Sequence, residues 1–318
     1  MRTAKPTDRG PVTVTPTGTR DLAEVVAADR GRIDELLLTE GAVLFRGFAV
    51  DSADEFARVA ATLSPRTLDY VYRSTPRSAV ADGVFTTTEY PPEQEITLHC
   101  ENAYQRQWPR RLAFGCLVPA ASGGETQLAD MRTVTAAIGA ELLDRFDERG
   151  VRYVRHYRPF VDLPWEVVFQ TTSRTDLAEF CAANDIDHEW LDETTLRTAQ
   201  VSQGAATHPE TGDRVFFNQA HLFHVSNVDS EAAAALVSLF GADRLPRNAY
   251  YGDGGHLDAA DLDRVRTAFR GAEITFPWAA GDVLLLDNMR VAHGRKPFTG
   301  PRKVLASLMD IHAPEASR

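Results

Sequence analysis

The alternation of apolar and polar residues predicts two groups of short β-strands separated by a stretch of helical character. The first group comprises ITLHCE, RRLAFGCLV and ETQLAD, between residues 96 and 130. The second group comprises AEITFPWAAGDVLLLDN and VAHGRKPFTGPRKVLASLMDI, between residues 272 and 311. Since no segment between the groups has the composition of a disordered linker, both halves of the chain are expected to complete one β core.

Helical periodicity marks several other segments of the chain. A helix is predicted from residue 20 to a stop at Gly41, and another follows the capping residues Asp51 and Ser52. Residues 133–150 and two segments near 229–241 and 258–269 are also predicted to be helical, and the region from about 164 to 200 is predicted to be mostly helical. These patterns divide the chain into a loose N-terminal arm over residues 1–19 and one domain over residues 20–318, which carries an insert at about 131–200.

Composition and charge narrow the class of protein. The chain has 318 residues, of which 43% are hydrophobic and 25% charged, as expected for a globular domain with a sizeable core. A net charge of −11 disfavours binding to nucleic acid or to an anionic membrane surface. The three cysteines lack metal-type spacing, and no secretory signal or membrane-spanning run is visible, so a cytoplasmic protein is expected.

His99 and Glu101 are the first residues that point to chemistry. In a strand, residues two apart project to the same face, so an imidazole and a carboxylate are expected side by side. A buried ion pair and a metal site both explain this pattern. His293 follows the apolar run 283–286 and the polar break at Asp287, which makes it a candidate third ligand. Two histidines and one carboxylate on one side of a metal leave positions open for a co-substrate and O2, as in non-haem Fe(II) oxygenases.

Five motifs carry a resemblance to a known family. LHCENAY, GGET, FFNQAHLF, WAAGDVLLLDN and HGRKPFTGPRK occur in the order found in the Fe(II)/2-oxoglutarate-dependent dioxygenases of the TauD/TfdA superfamily. The sequence most resembles the branch that contains clavaminate synthase-like and SyrP-like hydroxylases, in which Glu replaces Asp in the H-x-E pair. The resemblance covers roughly residues 40–312.

The resemblance implies a fold, a metal site and a co-substrate site. The fold is α+β, with a double-stranded β-helix (jelly-roll) core, surrounding helices and a helical insert. Fe(II) is expected on His99, Glu101 and His293, with 2-oxoglutarate and O2 as co-substrates. Arg302 and Thr126 are expected to bind the distal carboxylate of 2-oxoglutarate, in keeping with the planar fork that a guanidinium offers to a carboxylate.

The resemblance also implies the reaction and the class of substrate. We expect hydroxylation of an aliphatic carbon in an amino acid, or in an aminoacyl group that a carrier protein holds, within specialised metabolism. Because Glu101 occupies the position that chloride takes in related halogenases, oxygenation is expected instead of halogenation. Candidate substrate contacts are Arg77, Asn102, Tyr104, Asn218 and Arg295.

Three alternatives remain open at the level of sequence. The same chemistry can be diverted to desaturation or ring closure. A non-catalytic jelly-roll protein that binds a small molecule is a second possibility, and a hydrolase that uses zinc on the same ligands is a third.

Overall fold

The computed structural model describes residues 1–4, 10–64, 78–81, 83–87, 90–159 and 161–312. Within them, ten α-helices, two short 3-10 helices and twenty strands form a mixed α+β fold. The strands are β1 (Arg2–Ala4), β2 (Val12–Thr15), β3 (Ala42–Phe45), β4 (Ala79–Ala81), β5 (Val84–Thr86), β6 (Ile96–His99), β7 (Trp108–Val118), β8 (Ser122–Gly123), β9 (Thr126–Asp130), β10 (Val151–Tyr157), β11 (Ile186–Trp190), β12 (Leu196–Ser202), β13 (Ala205–Thr207), β14 (Arg214–Phe216), β15 (Arg247–Tyr251), β16 (Glu273–Phe276), β17 (Val283–Asp287), β18 (Val291–Arg295), β19 (Phe298–Thr299) and β20 (Lys303–His312).

The helices lie where helical periodicity predicted them at 51–63, 229–241 and 258–269, but the single helices predicted for residues 20–41 and 133–150 are each divided into two. They are α1 (Leu22–Ala28), α2 (Arg30–Glu40), α3 (Ala53–Leu63), α4 (Met131–Ile138), α5 (Ala140–Arg149), α6 (Trp165–Phe169), α7 (Arg174–Ala183), α8 (Ala220–Phe223), α9 (Ser230–Phe240) and α10 (Ala259–Gly271). Gly41 ends α2 in the left-handed region, and the Ser52 side chain accepts a hydrogen bond from the Glu55 N–H at the start of α3, as predicted. None of these helices combines the length and the apolar character that crossing a bilayer requires.

Two sheets enclose the core that positions the candidate site. The larger sheet has the order β1-β2-β3-β17-β7-β20-β5-β4, and the smaller has the order β16-β9-β18-β6. Leu284 and Leu308 of the larger sheet share one buried apolar cluster with Leu128 and Val291 of the smaller sheet. This cluster lies between the sheets, so strands from the two halves of the chain complete one core.

The outer face of the larger sheet is covered by the first three helices. Phe56 of α3 and Ile33 of α2 lie in a second buried cluster together with Phe45 and Leu285. The larger sheet is therefore buried on both faces, which explains why every residue from Val283 to Asp287 is buried and why the run carries so little alternation.

Two further sequence predictions differ from the structure. The loose arm over residues 1–19 contains β2, which pairs with β3 in parallel and buries Val12 and Val14. The region 164–200 was expected to be mostly helical, and it instead divides between helices α6 and α7 and strands β11 and β12. Most of β11 is exposed, so IDHEW lacks the alternation that identifies a half-buried strand.

The segment between β9 and β16 forms a third sheet with the order β11-β12-β10-β15. It is longer than the predicted insert, because β15 and α10 also lie within it. The division of the chain into one domain and an insert stays a prediction.

The contact of α3 with β7 yields a test of the packing. An added methyl group at Gly115 of β7 would collide with the ring of Phe56. We expect Gly115→Ala to lower the free energy of unfolding by about 1–3 kcal/mol, because a packed core has no room for the methyl group. Denaturant titration followed by circular dichroism measures this change.

Gly31 provides the control for that substitution. It lies in α2, and apart from its chain neighbours and the backbone of its own helix, no atom of the described residues lies within 4 Å of a methyl group added there. Gly31→Ala is expected to raise the free energy of unfolding by about 0.5–1 kcal/mol. A Gly115→Ala protein as stable as the wild type would show that the Phe56 contact is not tight.

Candidate metal centre and anion pocket

The two candidate histidine ligands face each other across one pair of strands. β6 and β18 are antiparallel, and His99 is the direct partner of His293 in the register. The centres of the two imidazole rings lie 4.6 Å apart. The ladder between β6 and β18 therefore brings together two residues from opposite halves of the chain.

Glu101 reaches the same place from outside the strand. β6 ends at His99, and Glu101 lies in a turn in which Asn102 has a left-handed φ of 56°. The prediction that the side chains of His99 and Glu101 lie together is confirmed. The strand geometry from which this prediction came is wrong, because Glu101 lies beyond the end of β6. Glu101 is buried, and its Oε2 lies 3.6 Å from Nε2 of His293.

The three side chains form a donor set suited to a divalent metal. One ligand atom from each of His99, Glu101 and His293 lies within 4.8 Å of the other two, so the group could hold a metal ion. The Nδ1 atom of His99 lies 2.8 Å from the Thr97 carbonyl oxygen. With Nδ1–H donating to this carbonyl, Nε2 is the nitrogen that would ligate a metal, which is the usual arrangement of a metal-binding histidine. Two imidazoles and a carboxylate match the facial ligand set of non-haem iron.

A pocket opens directly beside this donor set. Thr126 and Arg302 lie in its wall together with both histidines. The pocket is lined by Thr87, Ile96, His99, Phe114, Thr126, His293, Gly294, Arg295, Arg302 and Val304.

The Arg302 guanidinium is a cation without a matching anion in the part of the chain that the structure describes. Its Nε donates to the Gly124 carbonyl at 3.3 Å, and no carboxylate of the described residues forms an ion pair with it. Burial, together with the nearby Arg295, lowers the pKa of Arg302 to about 10. A guanidinium stays charged at neutral pH even so, and Arg302 is half-buried, so its charge is partly removed from water and is costly without a partner. A carboxylate in the pocket would supply that partner.

The GGET turn makes room for this arginine. Gly124 has a φ of 71°, and a side chain there would lie 3.2 Å from Cδ of Arg302. A glycine removes both the backbone strain and the contact. This is the physical reason for the second glycine of the motif.

Trp278 orients the hydroxyl group of Thr126. The indole Nε1–H donates to Thr126 Oγ1 at 3.0 Å. Because an indole nitrogen can only donate, the threonine oxygen is the acceptor in this contact and its own hydrogen is free for another partner. Thr126 lies beside Arg302 in the pocket wall, so it can donate to the same anion.

Arg295, a candidate substrate contact, is held by backbone carbonyls beside the pocket. Its guanidinium donates to the backbone carbonyls of Tyr90, Pro91 and Gln94, at 3.2, 2.8 and 2.5 Å. It therefore fastens residues 90–94 to the strand that carries His293. It also lines the pocket, where its Nε is buried without a partner among the described residues.

The other predicted substrate contacts lie around the turn and the insert. Asn102 is buried, and its Oδ1 has no hydrogen-bond partner among the described residues. Tyr104 is buried against Tyr153 at a ring-centre distance of 6.2 Å. Both ends of the Asn218 amide bond backbone atoms, with Nδ2 donating to the Gly204 carbonyl and Oδ1 accepting from the Ala220 N–H. Arg77 lies outside the described residues.

Two residues beside the site were not predicted to have a role. Trp278 touches Thr126, and Asn288 forms hydrogen bonds with the backbone of Glu101. Asn288 was visible only as part of the polar break that ends a buried run. A polar side chain that bonds a remote backbone leaves no periodic signal in the sequence.

A site of two histidines, one carboxylate and a neighbouring half-buried arginine is that of a non-haem iron oxygenase that uses an anionic co-substrate. The chain belongs to the family described as taurine catabolism dioxygenase TauD, TfdA family, whose model matches residues 7–309. It is by class an Fe(II)/2-oxoglutarate-dependent dioxygenase, as the resemblance predicted. This membership leaves no support for the non-catalytic and zinc-hydrolase alternatives.

Individual relatives agree with the family. A dapdiamide synthesis protein, DdaC of Enterobacter agglomerans, is 41% identical over 89% of this chain and 86% of its own. A clavaminate synthase-like protein of Arabidopsis thaliana is 34% identical over 90% of this chain and 86% of its own. The crystal structure of PvcB from Pseudomonas aeruginosa matches with a TM-score of 0.53 and 15% identity over 95% of this chain and 86% of that one. This last likeness shows the shared fold.

Proposed function

We propose that this protein hydroxylates an aliphatic carbon of an amino acid, or of an aminoacyl group held by a carrier protein, in specialised metabolism. The observation that carries the proposal is the position of Arg302 and Thr126 in one pocket with His99 and His293. A metal on the histidines and an anion on the arginine would then be neighbours. 2-Oxoglutarate is the co-substrate that can occupy both places at once.

Each residue has one task in this proposal. His99, Glu101 and His293 hold Fe(II), while Arg302 and Thr126 hold the distal carboxylate of 2-oxoglutarate. Fe(II) together with 2-oxoglutarate and O2 supplies the oxidising power to break an unactivated C–H bond, with succinate and CO2 as the other products. Phe114 and Val304 line the same pocket and keep its wall apolar, which strengthens the attraction between the guanidinium and a carboxylate.

Further parts of the proposal concern the fold and the outcome of the reaction. The two sheets around the common core are proposed to form a double-stranded β-helix. Three free and buried cysteines, Cys100, Cys116 and Cys181, support a reducing compartment such as the cytoplasm. Because Glu101 supplies a carboxylate ligand, no position is left for a halide in its place, and we propose oxygenation instead of halogenation.

The substrate is proposed to bind on the side of the metal centre where Asn102 lies. The Oδ1 of this residue, which has no hydrogen-bond partner among the described residues, is an acceptor suited to an amino or amide N–H group. Tyr104 lies in the same turn, and its ring packs against Tyr153 of β10 and Phe223 of α8. The 41% identity to a protein of dapdiamide synthesis supports a role in specialised metabolism. Desaturation or ring closure remains the alternative outcome of the same chemistry.

Substitution of Arg302 tests the co-substrate site. Arg302→Ala is expected to raise the KM for 2-oxoglutarate about tenfold or more, because a charged pair of hydrogen bonds is lost. Arg302→Lys should recover only part of the loss, since an ammonium group lacks the planar fork. Succinate formation at varied 2-oxoglutarate and constant Fe(II) measures both values.

Arg111→Ala is the matched control for this experiment. Arg111 is a half-buried arginine of β7 that pairs with Asp34 of α2, away from the pocket. Its removal is expected to leave the KM for 2-oxoglutarate unchanged. An equal rise in both variants, or no rise in Arg302→Ala, would refute the assigned role.

A substrate screen tests the proposed reaction. Free amino acids, dipeptides and carrier-bound aminoacyl thioesters are compared for stimulation of succinate formation, and products are analysed by mass spectrometry. We expect a product that gains one oxygen atom, also when chloride is present. Stimulation only by hydrocarbon-like compounds, or a chlorinated main product, would contradict the proposal.

Asn102→Gly provides a matched variant for that screen. Glycine tolerates the left-handed backbone at this position, so the variant removes the carboxamide without strain. The KM for the identified substrate is expected to rise about three- to tenfold, as for one lost hydrogen bond, while the KM for 2-oxoglutarate stays constant.

A further inference from the structure

The segment that carries Glu101 has no strand ladder to hold it. β6 ends at His99, and the turn from Glu101 to Tyr104 includes the left-handed Asn102. A ligand in a turn keeps its position only if other groups fix the backbone. The backbone carbonyls of this turn show how that is achieved.

Four side chains from distant parts of the chain donate to consecutive regions of this backbone. Nε2 of Gln219 donates to the Cys100 carbonyl at 2.7 Å, and Nδ2 of Asn288 donates to the Glu101 carbonyl at 2.9 Å. Ser202, the last residue of β12, donates its hydroxyl hydrogen to the Tyr104 carbonyl. The side chain of the next residue, Gln203, donates to the Ala103 carbonyl.

Asn288 differs from the other three because it bonds both sides of the ligand residue. Its Oδ1 accepts the Glu101 N–H at 2.7 Å, while its Nδ2 donates to the Glu101 carbonyl. The same Nδ2 donates to the Pro109 carbonyl at 2.8 Å, and the Asn288 N–H donates to the Arg110 carbonyl at 2.9 Å. Asn288 is fully buried, so water does not compete with these bonds. It therefore ties Glu101 to the start of β7.

The turn that presents Asn288 is itself fixed by Asp287. Oδ1 of Asp287 accepts the N–H groups of Met289 and Arg290. Its Oδ2 lies 2.9 Å from Nε2 of the buried His208, whose Nδ1 accepts the N–H groups of Glu210 and Thr211. With Nδ1 engaged as an acceptor, Nε2 carries the hydrogen and donates to Asp287. The turn between β17 and β18 is therefore rigid on both sides.

We propose that Asn288 is a positioning residue that sets the Glu101 carboxylate at the metal centre. The inference rests on the proposed metal site and extends it. The turn that Asn288 occupies leads into β18, which carries His293. The same turn therefore fixes the Glu101 backbone and begins the strand of the second histidine ligand. Among the described residues, the hydrogen bonds of the Asn288 amide go to backbone groups of Glu101 and Pro109, so its effect on the carboxylate passes through the backbone.

The test is anaerobic titration of the metal-free protein with Co(II), followed by the visible d–d spectrum. Asn288→Ala removes all three side-chain hydrogen bonds, and Asn288→Asp keeps only the acceptor for the Glu101 N–H. Both variants are expected to bind Co(II) about 10–100-fold more weakly than the wild type, as for other residues that support metal ligands. The d–d spectrum of the bound Co(II) should also change, since the position of one ligand changes.

Asn248→Ala is the matched control. Asn248 is buried in β15, its Oδ1 accepts the Val225 N–H and its Nδ2 donates to the Tyr250 hydroxyl. Its removal is expected to lower the melting temperature while the Co(II) affinity and spectrum stay those of the wild type. An equal loss of affinity in this control would overturn the inference, because it would reflect general loosening of the fold.

The remaining outcomes are also decisive. Wild-type affinity and spectrum in folded Asn288 variants would overturn the positioning role and leave the metal site intact. If Asn288→Ala does not fold, the Co(II) affinity and d–d spectrum of the isosteric Asn288→Asp variant test the proposal in its place. Failure of the wild type to bind Co(II) would overturn the metal site and the inference with it.

Discussion

The pairing of β6 with β18 is the constraint on which the site depends. It places His99 opposite His293 and leaves Glu101 just beyond the end of the ladder. β18 also pairs with β9, so Thr126 lies opposite Arg295 in the same small sheet. One sheet of four strands thereby presents both histidines and the hydroxyl group that faces Arg302. The larger sheet supplies the opposite wall of the pocket through Phe114 and Val304.

Electrostatic balance explains the second half of the site. The protein is acidic, yet two arginines line one small pocket. Among the residues that the structure describes, Arg295 is compensated by three backbone carbonyls, whereas Arg302 donates to the Gly124 carbonyl alone. The difference separates a structural arginine from one that is available to a ligand. Both residues are arginines, so the residue type alone does not reveal this difference. The difference depends on which acceptors the fold brings near each guanidinium.

The sequence and its family resemblance predicted most of the architecture but less of the detailed geometry. The buried run from Val283, the glycine stop at Gly41 and the helix of residues 51–63 follow from periodicity and capping, which are local. β11 could not be predicted, because its side chains are mostly exposed and carry no alternation. Asn218 was interpreted as a pocket residue, and its amide instead bonds two backbone groups. Hydrogen bonds of that kind join residues that are far apart in the chain, so the local sequence around Asn218 does not predict them.

The central claim is that one site binds Fe(II) and 2-oxoglutarate together, on His99, Glu101, His293 and Arg302. Anaerobic titration of the metal-free protein with both compounds, followed in the visible range, tests it most directly. A weak charge-transfer band is predicted when both are present, and it should be absent when either is omitted or when His293 is replaced by Ala. No band with both compounds, or an unchanged band in His293→Ala, would contradict the account.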